Sequence, residues 1–359
     1  MALSSQQIQT FERITVAREE YGPTISVLAI SKIERREPNP YGPNVYQHVY
    51  DHARRLGLVI DKENYFDHIT MSAYLWPYTS PERLSALAYF NTIGYYINDT
   101  IASDMRRYSP TQTAKLQHSV AQKAHDILIK GKMPEGKLDK YDMAFLDLRH
   151  SIIGLSNAEF AERFFQILLE HWQAAMTCYE KCGMFEGRID EFITIRRVAS
   201  GMIPTIALIE FARNEYIPSW LPEYVPTLQI AIDALADIGG LSNELFSYAK
   251  EVLESGTTLN LVAVVERVNE YDSTIYALED AIETVNNCFD VFKLATSQAC
   301  YEASIIEDPV FREQAEAFLT GFIDQMWDMA AACYHWQVET NRYRSENHPF
   351  TDLRVKLAA

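Results

Sequence analysis

Apolar residues recur at helical spacing along most of the chain, and few runs alternate as strands do. The pattern predicts helices over roughly 45–57, 81–106, 111–131, 138–152, 157–182, 189–213, 224–253, 258–302 and 308–339. Turn-forming residues punctuate them: Pro38 and Pro40 with Gly42-Pro43, Ser109-Pro110, Gly131 to Pro134, Gly183 to Gly187, Pro218 to Pro226 and Ser255-Gly256. Ser80-Pro81-Glu82 reads as an N-cap followed by proline at the first helical position. Ser200-Gly201 and Pro204 predict a break inside the 189–213 helix. No internal repeat or long linker interrupts the pattern. The expectation is one all-α domain over 1–359, a helical bundle with segment 1–44 partly irregular, whose interior can hold a ligand site between facing helices.

Residues 243–251 stand out within this pattern. Asn243, Ser247 and Glu251 recur every four residues. On an α-helix each such step turns about 40° and climbs about 6 Å, so an amide oxygen, a hydroxyl and a carboxylate stack on one face. Hard oxygen donors of this kind suit Mg²⁺ and suit zinc or copper poorly. Lys250 lies within about 20° of Asn243 in helical projection, which adds a cation beside the ladder. A metal ladder beside a cation has the chemistry that binds a diphosphate.

Composition narrows the classes of function. The 359 residues are 48% hydrophobic and 23% charged, ordinary values for a globular protein. The formal net charge of −17, with no basic tract, argues against nucleic acid as a partner. Divalent metals can still draw an anionic substrate to an acidic protein. Cys178, Cys182, Cys288, Cys300 and Cys333 are an odd set at irregular spacing, which reads as free thiols in a reducing compartment. The N-terminus lacks the basic and apolar regions of a signal peptide, and no membrane span is expected, so the expected compartment is the cytoplasm.

Three further clusters carry candidate chemistry. Tyr95-Tyr96-Ile97-Asn98-Asp99 to Asp104 closes the apolar helix that starts at Pro81, and its carboxylates would add a second metal wall if they faced the ladder. Asp99 and Asp104 are about 140° apart on an ideal helix. Arg196-Arg197 precede the break at Ser200-Gly201, where a broken helix exposes backbone groups to a cavity, and Arg197 can hold a phosphate in bidentate fashion. Near the C-terminus, Arg342-Tyr343 can donate to phosphate oxygens.

Together these elements resemble the class I terpene synthases (terpene cyclases), especially the bacterial type. The ladder is similar to their Asn-Asp-x-x-Ser-x-x-x-Glu metal motif, with Glu244 at the second position and Lys250 before the last Glu. The family's diphosphate-sensing arginine falls at Arg197, its linker and effector at Ser200 and Gly201, and its C-terminal Arg-Tyr pair at Arg342-Tyr343. The aspartate-rich motif departs from the family: Asp99 matches the first Asp, Thr100 replaces the second, and Asp104 takes the last acidic place. In the other register Asn98-Asp99 form the pair and Ala102 replaces the final acid.

The resemblance implies the class I terpene synthase fold and a linear isoprenyl diphosphate, farnesyl or geranylgeranyl, ionised with three Mg²⁺ and then cyclised. In that reading Asp99, Asp104, Asn243, Ser247 and Glu251 hold metal, while Arg197, Lys250, Arg342 and Tyr343 hold diphosphate. Asp99, Arg197, Ser200 and Gly201 form the catalytic set, and Tyr95, Tyr96, Phe192 and Trp336 line the cavity. A homodimer is common in that family. A chain-elongating isoprenyl diphosphate synthase and a non-catalytic helical prenyl-diphosphate binder are the alternatives.

Overall fold

In the computed structural model, residues 24–58, 61–107, 110–180, 185–254 and 258–343 are described, with the side chains of 99–107, 110, 111, 113, 114, 178–180 and 254 left outside that description. The described residues form helices and no strand. In chain order these are α1 Gly42–Arg55, α2 Lys62–Leu75, α3 Pro81–Arg107, α4 Pro110–Ala124, α5 Lys140–Leu155, α6 Ala158–Glu180, α7 Ile189–Ala199, α8 Met202–Arg213, α9 Thr227–Tyr248, α10 Leu261–Val268, α11 Thr274–Ser304 and α12 Pro309–Glu339. Wider π-helical turns extend α4 over His125–Ile129 and α9 over Ala249–Glu254.

Local chemistry explains where several helices begin. α3 starts at Pro81, as Ser80 predicts, and Ser80 Oγ accepts from the Arg83 amide at 3.5 Å. The Asp308 side chain caps α12 by accepting from the amides of Val310 and Phe311, ahead of Pro309 at the first helical position. Asp139 and Asp142 form a reciprocal capping box at the start of α5.

Two elements differ from the sequence pattern. α2 was absent from it, because its buried face mixes Tyr65, Ile69, Ala73 and Leu75 with polar His68 and Ser72, which interrupt the apolar stripe. The single helix expected over 258–302 is two helices, α10 and α11, separated at Asn269–Ser273. Glu270 adopts a left-handed φ of 54° there, within a turn rich in Asn, Asp and Ser.

One cluster of buried apolar side chains runs from Ile25 to Cys333. α9 is its central rod, with Ala231, Ala234, Ala236, Gly239 and Gly240 all buried. A helix buried on nearly every side is the expected place for a site enclosed in a bundle. The stretch Ile189–Arg213 is long and apolar enough to cross a membrane by length and composition, which the sequence reading did not anticipate. It is divided into α7 and α8 by Ser200 and Gly201, and α8 is buried along most of its length.

The break between α7 and α8 is seated on glycine. Gly201 has φ +85°, a conformation that costs other residues about 1–2 kcal/mol. A methyl group at Gly240 would come within 2.9 Å of Ser200 Cβ, and one at Gly239 within 2.5 Å of the Met202 side chain. Small residues on α9 therefore let the broken helix approach closely. Met202 has a flexible end that can move aside, whereas Ser200 Cβ is tied to the backbone. Gly240→Val is expected to lower stability by about 1–3 kcal/mol through overpacking, read as a shift in the urea unfolding midpoint.

Candidate active site

An interior cavity of 160 Å³ lies between α2, α3, α6, α7, α8, α9 and α12. Asn243 and Glu251 reach it from α9 and its π-helical extension. Tyr95 and Asn98 face it from α3, Ser200 and Gly201 from the helix break, and Trp336 and Arg342 from the C-terminal region. Asn243 and Glu251 of the ladder and the end of α3 thus share one hollow, whereas Ser247, between them on α9, is buried and is not among the lining residues. Asp99 and Asp104 lie on the backbone of α3, and their side chains are outside the described residues.

The ladder is modified by its local structure. Asn243 and Ser247 sit on α9, while Glu251 sits on the π-helical turn Ala249–Glu254. Turns of this kind re-aim side chains and recur at functional sites. The Asn243 amide is held by two acceptors, Gln337 Oε1 at 3.2 Å and Tyr343 OH at 2.8 Å. Both engage its NH₂, so its carbonyl oxygen keeps its acceptor capacity. Ser247 is buried, and its Oγ has no hydrogen-bond partner among the described residues. Glu251 accepts one bond from Asn260 Nδ2 at 3.2 Å. A buried hydroxyl left without a partner is costly unless a ligand meets it. The three oxygens fit a hard cation such as Mg²⁺. Among the described residues no group of three His, Cys, Asp or Glu side chains is placed to hold a metal ion.

The arginine facing the cavity is Arg196, not Arg197. This corrects the expectation, drawn from the resemblance, that Arg197 enters the cavity. Arg197 forms a bidentate pair with Asp237, at 2.9 and 2.6 Å, and lies 3.5 Å from Asp233. It lines a separate groove of 730 Å³ between α7, α9 and α11. Adjacent residues on a helix point about 100° apart, so one step of register decides between cavity and exterior.

Arg196 is bound to Glu244 at 2.5 Å. Glu244 is fully enclosed and also accepts from the Leu261 amide at 3.2 Å. Burial pushes its carboxyl pKa well above the usual carboxylate range; Arg196 opposes the rise and the Glu251 charge adds to it. The second position of the ladder motif therefore holds an arginine rather than facing the metal wall.

The aromatic expectations divide in two. Tyr95 lines the cavity, stacked under the Arg342 guanidinium at 4.2 Å, and Trp336 lines it while donating Nε1–H to Thr70 Oγ1 at 3.1 Å. Tyr96 is directed away, where Lys140 Nζ donates to its hydroxyl. Phe192 is core, packed edge-on against Phe185 at 5.8 Å. Neither Tyr96 nor Phe192 is among the cavity residues, which corrects both expectations. Lys250 is half-buried on the π-helical turn and is not a lining residue. Tyr343 is buried behind Asn243 and donates to Gln337 Oε1 at 2.7 Å. Phe90, His171, Trp172 and Gln337 also line the cavity and escaped the sequence reading, since a buried aromatic or polar residue on a helix carries no local mark of the space it borders.

The description "Terpene synthase family 2, C-terminal metal binding" matches residues 89–291, more than half of the chain and the part that contains Tyr95, Asn98, the helix break and the ladder. The chain belongs to this terpene synthase family. Among curated relatives, this terpene synthase is 26% identical over 155 residues to sesquiterpene synthase Agr1 of Cyclocybe aegerita, covering 43% of the chain and 41% of that protein. The match therefore spans less than half of that relative's length. Two solved structures share the fold. One is germacradien-4-ol synthase from Streptomyces citricolor, at 21% identity and a TM-score of 0.66, covering 85% of this chain and 96% of that one. The other is a variant of cucumene synthase, at 20% identity and a TM-score of 0.71, covering 86% and 98%.

The opposite directions of the two arginines can be tested without turnover. Binding of inorganic diphosphate with Mg²⁺, measured by calorimetry, is expected to weaken about tenfold or more in Arg196→Met and to change by less than about twofold in Arg197→Met.

Proposed function

We propose that this chain is a class I terpene cyclase that ionises a linear isoprenyl diphosphate and cyclises the resulting cation. The observation that carries this reading is that Asn243 and Glu251 of the ladder, with Arg196 and aromatic faces, line one cavity, while Ser247 between them keeps a buried hydroxyl without a partner among the described residues. Asn243, Ser247 and Glu251 would hold Mg²⁺, three ions in all, with Asp99 and Asp104 contributing from α3. Bound Mg²⁺ supplies charge neutralisation of the diphosphate leaving group.

The chain's own groups do the rest. Arg196 and Arg342 donate to diphosphate oxygens, where low dielectric makes each charge-assisted bond stronger than in water. Lys250 and Tyr343 support that end of the site. As the allylic C–O bond breaks, positive charge develops in a chamber lined by Tyr95, Trp172, Trp336 and Phe90, whose faces stabilise a cation without attacking it. Ser200 and Gly201 bring the broken helix to the same chamber, and closure over bound substrate would keep water from quenching the cation. The whole chain acts as one catalytic domain.

The C15 substrate, farnesyl diphosphate, is favoured over the C20 homologue because curated relatives are named as sesquiterpene synthases. Incubation with C10, C15 and C20 diphosphates and Mg²⁺, followed by gas chromatography, is expected to give cyclic C15 products. A longer linear diphosphate formed from added isopentenyl diphosphate, or binding without turnover, would contradict the assignment. Asn243→Ala and Glu251→Ala are each expected to lower turnover about a hundredfold or more while the helical circular-dichroism spectrum is retained. Chelation of the metal should abolish turnover, and added Mg²⁺ should restore it.

A further inference from the structure

His171 lies on α6 and lines the same cavity, beside Trp172. Its Nδ1 lies 3.0 Å from the Val198 carbonyl oxygen. A carbonyl accepts only, so Nδ1 carries the proton and donates it. In a neutral ring the other nitrogen, Nε2, then holds a lone pair. A methyl group at Gly201 would lie 3.4 Å from both Cε1 and Nε2, so the Nε2 edge of the ring faces the helix break. No described residue forms a hydrogen bond with Nε2. Burial, with the Arg196 charge nearby, lowers the imidazole pKa to about 4 despite the bond to Val198, so the ring is neutral at physiological pH.

The other nitrogen-bearing residues that line the cavity offer no such site, and His68, packed behind Tyr95 and Trp336, is not a lining residue. Arg196 and Arg342 are permanently charged, Trp172 and Trp336 carry indole N–H donors, and Asn91, Asn98, Asn243 and Gln337 carry non-basic amides. The carboxylate of Glu251 belongs to the ladder.

Resting on the terpene cyclase reading, we propose that His171 Nε2 is the catalytic proton acceptor that ends the cation sequence. A C–H bond next to the cationic carbon breaks. Its electron pair becomes the π bond of the product alkene, and the proton forms Nε2–H. The imidazolium is held by the Val198 carbonyl and later returns the proton to released diphosphate or water. A weak base suffices, because a carbon acid beside a cationic centre is far stronger than imidazolium. Placing the acceptor beside Gly201 would select which C–H bond is lost, and hence the alkene isomer.

The test uses His171→Asn and His171→Gln with farnesyl diphosphate and Mg²⁺, and scores product ratios against diphosphate release. The Asn amide nitrogen stands where Nδ1 stood and can keep the bond to Val198, but nothing basic replaces Nε2. The principal alkene is expected to fall about tenfold or more relative to the other products, while diphosphate release changes by less than about threefold. Metal-free ¹⁵N spectra, with His171 assigned by its loss in the variant, should show a neutral Nδ1–H ring at pH 7. An unchanged product ratio, a parallel loss of all products and diphosphate release in both variants, a selective loss of alcohol with the alkene intact, or an Nε2–H ring would each overturn the proposal. Failure of the cyclase reading is distinguishable: the wild-type protein would then release no diphosphate at all, and the proposal would fall with it.

Discussion

The buried pair of Arg196 and Glu244 joins the parts on which the site depends. Glu244 projects from α9, one residue beyond Asn243; Arg196 projects from α7, ahead of the break. The same carboxylate accepts the Leu261 amide at the start of α10. Asn260 then bridges the Glu244 carbonyl, at 2.9 Å, and the Glu251 carboxylate. One ion pair therefore ties the broken helix, the ladder helix and the loop after it into a single corner. Loss of one partner of such a pair costs about 3–5 kcal/mol, since the other is left buried and uncompensated. Its contribution is geometric as much as energetic, because it holds a cation beside the ladder.

That corner places positive charge inside a chain of net charge −17. Arginine faces the cavity at two places, Arg196 at the break and Arg342 over the Tyr95 ring. Arg197, next in sequence, is neutralised on the other side of α7 by Asp237 and Asp233. Oxygen donors, guanidinium groups, aromatic faces and an imidazole thus meet in one cavity, with Arg342 lying directly on the Tyr95 ring. Gly239 and Gly240 let the break settle on α9.

Much of this was legible before the structure. Helical periodicity marked most of the rods, Ser80-Pro81 marked the start of α3, and Ser200-Gly201 marked the break. The four-residue recurrence singled out Asn243 and Glu251, which do line the cavity together with Tyr95, Trp336 and Arg342. The misses share a cause. α2 escaped because His68 and Ser72 sit on its buried face, so burial there does not track hydrophobicity. The turn at 269–273 escaped because apolar spacing resumes in register soon after it. Tyr96 and Phe192 carry the side chains of a cavity wall, yet one turns toward Lys140 and the other toward Phe185.

The sequence by itself determined the all-helical class, the position of the break and the oxygen ladder, because each is written in residues close along the chain, where helix geometry converts spacing into direction. Tertiary structure alone decided that Arg196 rather than Arg197 enters the cavity, that Glu244 is its counter-ion, and that His171 presents a bare nitrogen beside Gly201. Those outcomes depend on which neighbour each helix face meets. Spacing fixes the relative directions of residues on one helix but not which direction meets the chamber, and a step of one residue, about 100°, is enough to move a side chain from the chamber to the outside.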